Sequence, residues 1–442
     1  MTVESRLRVA LREAAGGIVP AEPRWEAIAS RVARRDRRRR RLATTATTLA
    51  ALVVVGAVLL SLRRGDEAGS KVRTAGPAAA TVVPTTAVPT TATTPATAPP
   101  VTPPTTAPPP ATTIAPGPVG GPVPAGFRPV SVTWISLRQG WVIGAAPCAS
   151  PPCTSLLRTT DGGATWAGVP APRAALSQGG AVGVSRIRFA DESNGWAFGP
   201  ELWATHDGGV TWHAVDAVPS PTTSLEASAG RVYAVAGSPA AHVFASDVGR
   251  DGWQQVGADE VVAGGAVALH GTTGYVQGTD GVVRGLSAGG SDRRSAPCGT
   301  SPASGLAAAG SDVVAVCVSD AAAGSSTKTV VVSHDGARTW APAGTGPRSG
   351  QPSGLAATPV APPIDVLATS GGISSIWRSE DAGATWTTVY TDTASGGAGF
   401  VDLGFTDATH GVAVEGGAAS ATSRLLVTAD GGRTWAPATF GP

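Results

Sequence analysis

The side chains that could run hydrolytic chemistry in this sequence are carboxylates scattered between residues 191 and 415. An inverting glycosidase uses two carboxylates on opposite sides of the scissile bond, one as acid and one as base. Seven carboxylates are candidates for such a pair: Asp191, Glu201, Glu226, Asp312, Asp365, Asp402 and Glu415. No spacing in the sequence pairs any two of them, so a glycoside hydrolase is the alternative function and a non-enzymatic role is the expected one.

One aspartate-containing phrase of eight residues, S/T-x-D-x-G-x-T-W, occurs five times. Its aspartates are Asp161, Asp207, Asp335, Asp381 and Asp430, and it ends at Trp166, Trp212, Trp340, Trp386 and Trp435. Four copies match in full, whereas the third has Ala337 in place of the glycine. A catalytic motif usually needs one copy, so five copies indicate architecture.

Each copy has the composition of a tight turn between two strands. The carboxylate of Asp161 can accept hydrogen bonds from backbone N–H groups of its own turn. Gly162 and Gly163 can take the positive φ that such a turn needs, and Trp166 offers a large flat surface for packing between sheets. The five aspartates and five tryptophans are therefore predicted to be structural, with no catalytic, metal-binding or cofactor-binding residue among them.

The spacing of these phrases indicates a repeat. The tryptophans are 46 residues apart from Trp166 to Trp212 and again from Trp340 to Trp386. The 128 residues between Trp212 and Trp340 leave room for three units with two degenerate phrases, one ending at Trp253 and one at Thr279–Leu286. A recurring strand–turn–strand pattern places the unit starts near Val130, Val184, Thr222, Val262, Ser304, Gly354 and Phe400.

Seven units with four strands each, at a period of roughly 40 to 50 residues, predict an all-β fold, a seven-bladed β-propeller. We place this domain at residues 126–442. In each unit the repeated phrase would join the third strand to the fourth, as in L-L-R-T before Asp161 and L-L-V-T before Asp430.

The chain before the repeats has the composition of a membrane anchor. Residues 1–73 carry 16 Lys/Arg against 7 Asp/Glu, whereas residues 74–442 carry 17 against 24. Leu42–Leu62 is 21 residues long and has no charged residue, and the basic run Arg31–Arg41 directly precedes it. About 20 apolar residues are enough to span a bilayer. Because the larger positive cluster stays in the cytoplasm, we predict a cytoplasmic tail at residues 1–41, a transmembrane helix at 42–62 and an extracellular remainder.

Two alternatives to this anchor are weaker. A cleaved signal peptide normally has a short basic region, but about 40 residues precede the apolar run here. The arginines could bind nucleic acid, but a charge cluster beside a membrane span already accounts for them. In the tail, Trp25, Ile28 and Val32 have helical spacing, and they fit either a docking helix for a cytoplasmic partner or a segment on the inner leaflet.

Residues 63–125 are predicted to be a disordered extracellular linker. Thr74–Phe127 contains no charged residue and is dominated by Pro, Thr and Ala, a composition that favours extended polyproline II. Such a stalk, which is a candidate for O-glycosylation, would carry the propeller into or through a cell wall.

Four cysteines fit an exported domain. An even number outside the cytoplasm indicates disulfides, and the residues are Cys148, Cys153, Cys298 and Cys317. The short spacing C-A-S-P-P-C suggests a local Cys148–Cys153 bond, which would leave Cys298 with Cys317, although three pairings are formally open. A metal site is the alternative, but no histidine has ligand spacing near these cysteines.

The repeated phrase resembles the Asp-box, or bacterial neuraminidase repeat, of sialidases, sortilin-type receptors, some endoglucanases and the photosystem II assembly/stability factors. The F-x-D-x-x-x-G-W rhythm at Phe189–Trp196 and Phe405–Gly411, with seven units, is most similar to the photosystem-factor type of propeller. The resemblance covers residues 126–442 and implies that the boxes lie at the sheet periphery, away from the ligand-binding face. A photosynthetic role is not inferred, because the stalk and anchor indicate a bacterial surface protein.

This sequence departs from the pattern of a sialidase site in several ways. Such a site would need an arginine cluster, a Tyr/Glu nucleophile pair and an aspartic acid, and sialidases carry an F-R-I-P or Y-R-I-P segment that R-I-R-F at Arg186 does not match. Only Tyr233, Tyr275 and Tyr390 are available as tyrosines. The expected function is therefore a non-catalytic binding or scaffold module for an envelope protein or a cell-wall glycan, without nucleic acid or cofactor.

Overall fold

A computed structural model describes residues 120–151, 153–322, 324–360, 362–393, 397–418, 420 and 422–441. The predicted tail and membrane segment, and the linker up to residue 119, lie outside these residues. Within them, no helix qualifies as a membrane span.

The described chain folds into seven four-stranded antiparallel sheets, each built from four consecutive strands. Blades 1 to 3 comprise β1 Arg128–Trp134, β2 Gly140–Ala145, β3 Thr154–Thr159, β4 Ala167–Val169; β5 Arg186–Phe189, β6 Gly195–Phe198, β7 Leu202–Thr205, β8 His213–Ala214; and β9 Thr222–Ser228, β10 Arg231–Ala236, β11 His242–Asp247, β12 Gln254–Gln255. Blades 4 and 5 comprise β13 Ala268–His270, β14 Thr273–Gln277, β15 Val283–Ser287, β16 Gly290–Arg293; and β17 Gly305–Ala309, β18 Asp312–Ala322, β19 Ser325–Ser333, β20 Ala341–Thr345. Blades 6 and 7 comprise β21 Gln351–Ala357, β22 Asp365–Ser370, β23 Ser374–Ser379, β24 Thr387–Asp392; and β25 Phe400–Phe405, β26 Gly411–Glu415, β27 Arg424–Thr428, β28 Ala436–Pro437.

The first strand of each blade lies innermost. Each inner strand contacts the inner strands of the neighbouring blades, and β25 contacts β1, so the ring is closed. The predicted seven-bladed β-propeller with four-stranded blades is confirmed. Neither the first nor the last blade borrows a strand from the other, so side chains must hold the ring shut.

The large faces of the blades bury apolar side chains against each other. Period-two alternation explains this, since successive residues of a strand point to opposite faces. One such interface joins Trp141 and Leu156 of blade 1 to Ile187 and Phe189 of blade 2, with the rings of Trp141 and Phe189 stacked at 3.9 Å between centroids. The last interface joins blade 7 to blade 1 through Val414, Leu425 and other apolar side chains.

Antiparallel pairing gives the propeller two distinct faces. Turns from a first to a second strand and from a third to a fourth strand lie on one face, which we call the box face because the repeated phrases lie there. The hydrogen bond from Gly162 N to Arg138 O (2.8 Å) ties two such turns together in blade 1. Turns from a second to a third strand, and the links between blades, lie on the opposite face, the loop face.

The sequence expectation for blade 4 is wrong in one respect. Thr279–Leu286 does not form the third-to-fourth strand turn, because it contains the turn between β14 and β15 and most of β15. In this turn the Asp280 carboxylate accepts a hydrogen bond from Val282 N (3.1 Å). An Asp-Gly pair indicates a hairpin turn but not which hairpin of the blade it closes.

Candidate functional site

The inner strands surround a central cavity of about 580 Å³, a volume within the usual range of ligand sites. Much of its wall is alanine, glycine and serine from blades 3 to 6. The charged residues that line it are Arg186 and Arg188 of blade 2, Glu226 of blade 3 and Asp402 of blade 7. Together with Ser131 of blade 1 they form what we call the closure cluster.

The alternation of β5 places its two arginines on the channel side. Ile187 and Phe189 are buried in the interface with blade 1, so Arg186 and Arg188 between and beside them point the other way. The guanidinium of Arg188 donates from Nε to Glu226 Oε1 (2.7 Å) and from Nη2 to Asp402 Oδ1 (2.9 Å). Arg188 therefore lies between the two channel carboxylates and bonds to both.

Asp402 is the centre of the cluster, and its side chain is only 4% exposed. Besides Arg188, it accepts hydrogen bonds from Arg186 Nη1 (3.1 Å), Val132 N (3.0 Å) and the hydroxyl of Ser131. The same hydroxyl accepts a hydrogen bond from Ile187 N (3.0 Å). These bonds run from blade 7 through blade 1 to blade 2, across the point where the ring closes without strand exchange.

The two channel carboxylates shift in opposite directions. Burial alone would raise the pKa of Asp402, but Arg188 and Arg186 hold that pKa below its usual value. Burial raises the pKa of Glu226, and the ion pair with Arg188 offsets only part of this effect. Opposite shifts are typical of an acid and base pair, but here a guanidinium fills the space between the two groups.

That filled space argues against an inverting glycosidase. Its two carboxyl groups must leave about 6.5 to 9.5 Å for the sugar and the attacking water. Each channel carboxylate instead bonds directly to Arg188. None of the three tyrosines is among the residues that line the cavity.

The other sequence candidates lie apart from the channel. Glu201 accepts hydrogen bonds from Gly183 N and Trp203 Nε1, and Asp191 from the turn at Ser193 and Asn194. Asp312 pairs with His334, and Glu415 with Tyr390 and Arg424. Asp365 is buried, and neither of its carboxylate oxygens has a hydrogen-bond partner among the described residues.

The five repeated phrases form turns of one geometry on the box face. In the first, Thr159 Oγ1 donates to Asp161 Oδ1 (2.8 Å), and Thr165 donates to the same carboxylate from N (2.9 Å) and Oγ1 (2.6 Å). Donation from Thr165 lowers the pKa of Asp161 to about 2. The same bonds occur at Asp207, Asp335, Asp381 and Asp430. The acceptors of these aspartates are used inside their own turns.

The tryptophan of each phrase packs against the preceding blade. Trp212 of blade 2 donates from Nε1 to Pro170 O (3.0 Å), just after blade 1. Trp166 of blade 1 lies in the interface with blade 7, beside Phe440. The remaining three join blades 4 to 5, 5 to 6 and 6 to 7: Trp340, Trp386 and Trp435.

The loop face carries the two disulfides and a lysine held by carbonyl groups. Cys148 is bonded to Cys153 in the β2–β3 loop, and Cys298, in the link before blade 5, to Cys317 of β18. Lys328 is fully buried, and its Nζ donates to the carbonyls of Pro347 (2.7 Å) and Gly350 (2.8 Å). These bonds fix the connection between blades 5 and 6.

The sequence did not identify the closure cluster. Arg186 and Arg188 were considered only as a segment that fails to match a sialidase, and Glu226 and Asp402 as unpaired carboxylates. The available signal was the alternation R-I-R-F. It places two arginines on one face of a strand that begins its unit and is therefore innermost.

No protein-family model matches the sequence, and no curated protein matches it. Solved structures similar to this chain include "YCF48 bound to D1 peptide", at 15% identity over 70% of this chain and 95% of that one, with a TM-score of 0.47. YCF48 from Cyanidioschyzon merolae has 16% identity over 73% and 89% of the two chains, with a TM-score of 0.33. A Niastella koreensis GH74 enzyme has 12% identity over 71% of each chain, with a TM-score of 0.35. Because these TM-scores are all below 0.5, the fold and the blade count rest on the strand order of this chain alone.

Proposed function

We propose that the propeller is a non-catalytic binding module, carried outside the cell on one membrane-spanning segment, and that its ligand is an envelope protein or a cell-wall glycan. The observation that carries the non-catalytic part is the position of Arg188 between Glu226 and Asp402. All four charged residues of the channel wall are engaged with each other, so they serve ring closure.

Binding then falls to the loop face. Loops on a rigid scaffold commonly carry recognition, and a surface that is already ordered loses less entropy when a ligand binds. Two disulfides and the carbonyl contacts of Lys328 order this face. The long hairpin β18–β19 (Asp312–Ala322 and Ser325–Ser333) extends there, with residues 319–322 exposed.

The anchor and stalk complete the proposal from the sequence. The arginine run before Leu42–Leu62 favours a cytoplasmic N-terminus, and the Pro/Thr stalk would carry the propeller into or through a cell wall. Extended at about 3.1 Å per residue, it could reach on the order of 150 Å.

Crosslinking in cells, followed by capture of the full chain, tests the proposal. A chain that stops after residue 125 is the first control. The sharper control compares faces, because exposed apolar residues lie on both: Val182 and Ile373 on the loop face, Leu137 and Val210 on the box face. We expect aspartate at either loop-face position to reduce the captured partner about tenfold or more, and aspartate at either box-face position to leave capture unchanged.

Two results would overturn the proposal. Equal loss from both faces, or capture that survives removal of the propeller, would exclude recognition by the loop face.

The opposite pKa shifts of Glu226 and Asp402 support the hydrolase alternative, so purified full-length protein should also be incubated with cell-wall glycan. Release of reducing ends that disappears in Glu226→Gln would show an enzyme, whereas an intact glycan supports the binding module.

A further inference from the structure

Two histidines and an aspartate from neighbouring blades meet at the periphery of the box face. His206 lies in the repeated phrase of blade 2, His213 begins β8, and Asp251 lies in the third-to-fourth strand turn of blade 3. His213 Nε2 is 2.6 Å and His206 Nε2 is 3.2 Å from Asp251 Oδ2. The three ligand-capable atoms lie within 4.8 Å of one another.

The two separations from Asp251 are close to those of a tetrahedral metal site, and the two histidine nitrogens lie no more than 4.8 Å apart. With bonds of about 2.0 to 2.1 Å to zinc, two ligand atoms stand about 3.3 Å apart. The pair formed by His206 and Asp251 already has this spacing, and the pair formed by His213 and Asp251 would open by less than about 1 Å. All three side chains are partly exposed, so an ion could enter without unfolding a blade.

The tautomer of His206 is the independent observation that favours a cation. The amide nitrogen of Asn194 donates to both carboxylate oxygens of Asp191 (3.0 and 2.9 Å), which leaves Asn194 Oδ1 as an acceptor. His206 Nδ1 lies 2.7 Å from that oxygen and must carry the proton. In the neutral ring the lone pair of Nε2 then faces a carboxylate oxygen, and a positive charge between the two atoms removes their repulsion.

We propose that His206, His213 and Asp251 bind one divalent transition-metal ion of the zinc class, with a fourth position open to water. Two imidazoles and a carboxylate suit zinc, copper, nickel and iron better than calcium or magnesium. Asn194 Oδ1 accepts the hydrogen bond of His206 Nδ1 and so orients the ring, as the outer hydrogen-bond partner of a metal-ligating histidine commonly does. The ion would tie blade 2 to blade 3, and this inference is independent of the proposed loop-face function.

A proton on His206 Nε2 would also satisfy the geometry. Metal titration distinguishes a bound proton from a bound metal ion. Zinc should be titrated into metal-free full-length protein by calorimetry, and Co²⁺ by visible absorption, since its d–d bands report four-coordinate binding. We expect one equivalent of either ion, and a higher Tm when zinc is present. Asp251→Asn and His213→Ala should each weaken affinity about tenfold or more, and Asn194→Ala should weaken it about 10- to 100-fold.

The chain supplies a matched control at the same place in another blade. His334 occupies the position in its repeated phrase that His206 occupies in the second one, and it pairs with Asp312 (2.7 Å). No second histidine joins that pair among the described residues. His334→Ala should therefore leave zinc affinity unchanged. Absence of zinc binding, or equal binding by wild type and both ligand variants, would overturn the proposal and indicate a protonated histidine pair or an adventitious ion only.

Discussion

Asp161 and Asp402 are both carboxylates with several hydrogen-bond donors, but these donors lie at very different distances along the chain. Asp161, on the box face, bonds to residues two and four positions away. Asp402, in the channel, bonds to Arg188 and Ser131, 214 and 271 positions away. The box turns thus shape each blade separately, whereas the closure cluster holds the first and last blades together.

The largest effect is expected where the closure cluster loses its central charge. Asp402→Asn would leave two arginines, Arg186 and Arg188, with a single carboxylate, Glu226, which contacts only Arg188. Removal of one partner from a buried ion pair costs about 3 to 5 kcal/mol. Urea unfolding would measure the loss. Glu226→Gln is the matched comparison, since this side chain is 33% exposed, has one ion pair and has a raised pKa, and we expect the stability to change by no more than about 1 kcal/mol. Equal losses would contradict the central role of Asp402.

Asp365 tests what a buried carboxylate does without such partners. Burial raises its pKa from 3.8 to about 7, helped by repulsion from Asp312 and Asp381. The folded state therefore holds a proton that the unfolded chain releases, so this group lowers stability as pH rises from about 4 to 7 and adds no further loss above that range. Between pH 5 and 8 the loss amounts to about 2 to 3 kcal/mol.

Asp365→Asn should remove this part of the pH dependence. Unfolding free energies of wild type and variant at pH 5 and pH 8 give the measurement, and the exposed Asp216→Asn is the control for an added amide. A variant whose stability still falls as steeply as that of the wild type would exclude Asp365 as the source.

The same contrast explains what could be predicted from the sequence. The blade count was accessible because a turn such as Thr159–Trp166 is specified by neighbouring residues and repeats at a fixed period. The error at Thr279–Leu286 arose because Asp-Gly specifies a turn and not its place in the blade. The closure cluster and the contact of His206 with Asp251, 45 residues away, depend on how blades pack side by side, which no local spacing encodes.

A smaller effect is expected from a single box turn. Asp161→Ala would remove the acceptor for Thr165 N, Thr165 Oγ1 and Thr159 Oγ1. The turn is exposed, so water can replace part of these bonds, and a loss of about 1 kcal/mol is expected, as for a removed helix cap. The other four turns should be unaffected, and hydrogen exchange at residues 160–165 and 206–211 would compare the altered turn with an intact one. Loss of protection in both would contradict the independence of the blades.

The smallest effects on stability are expected at two alanines that occupy glycine positions in the box turns, and the two should differ. Ala382 has φ of 54° where Gly162, Gly208, Gly336 and Gly431 have 71° to 81°, and Ala337 has φ of 65°. Ala382 is only half-buried, so Ala382→Gly gives up less packing than the same change at a buried site, relieves backbone strain and should stabilise by about 0.5 kcal/mol. Ala337 is fully buried, and loss of a methyl group worth about 0.8 kcal/mol offsets the same relief. Ala337→Gly should therefore leave the Tm nearly unchanged, whereas equal gains from both substitutions would mean that backbone strain alone decides which residue these turns accept.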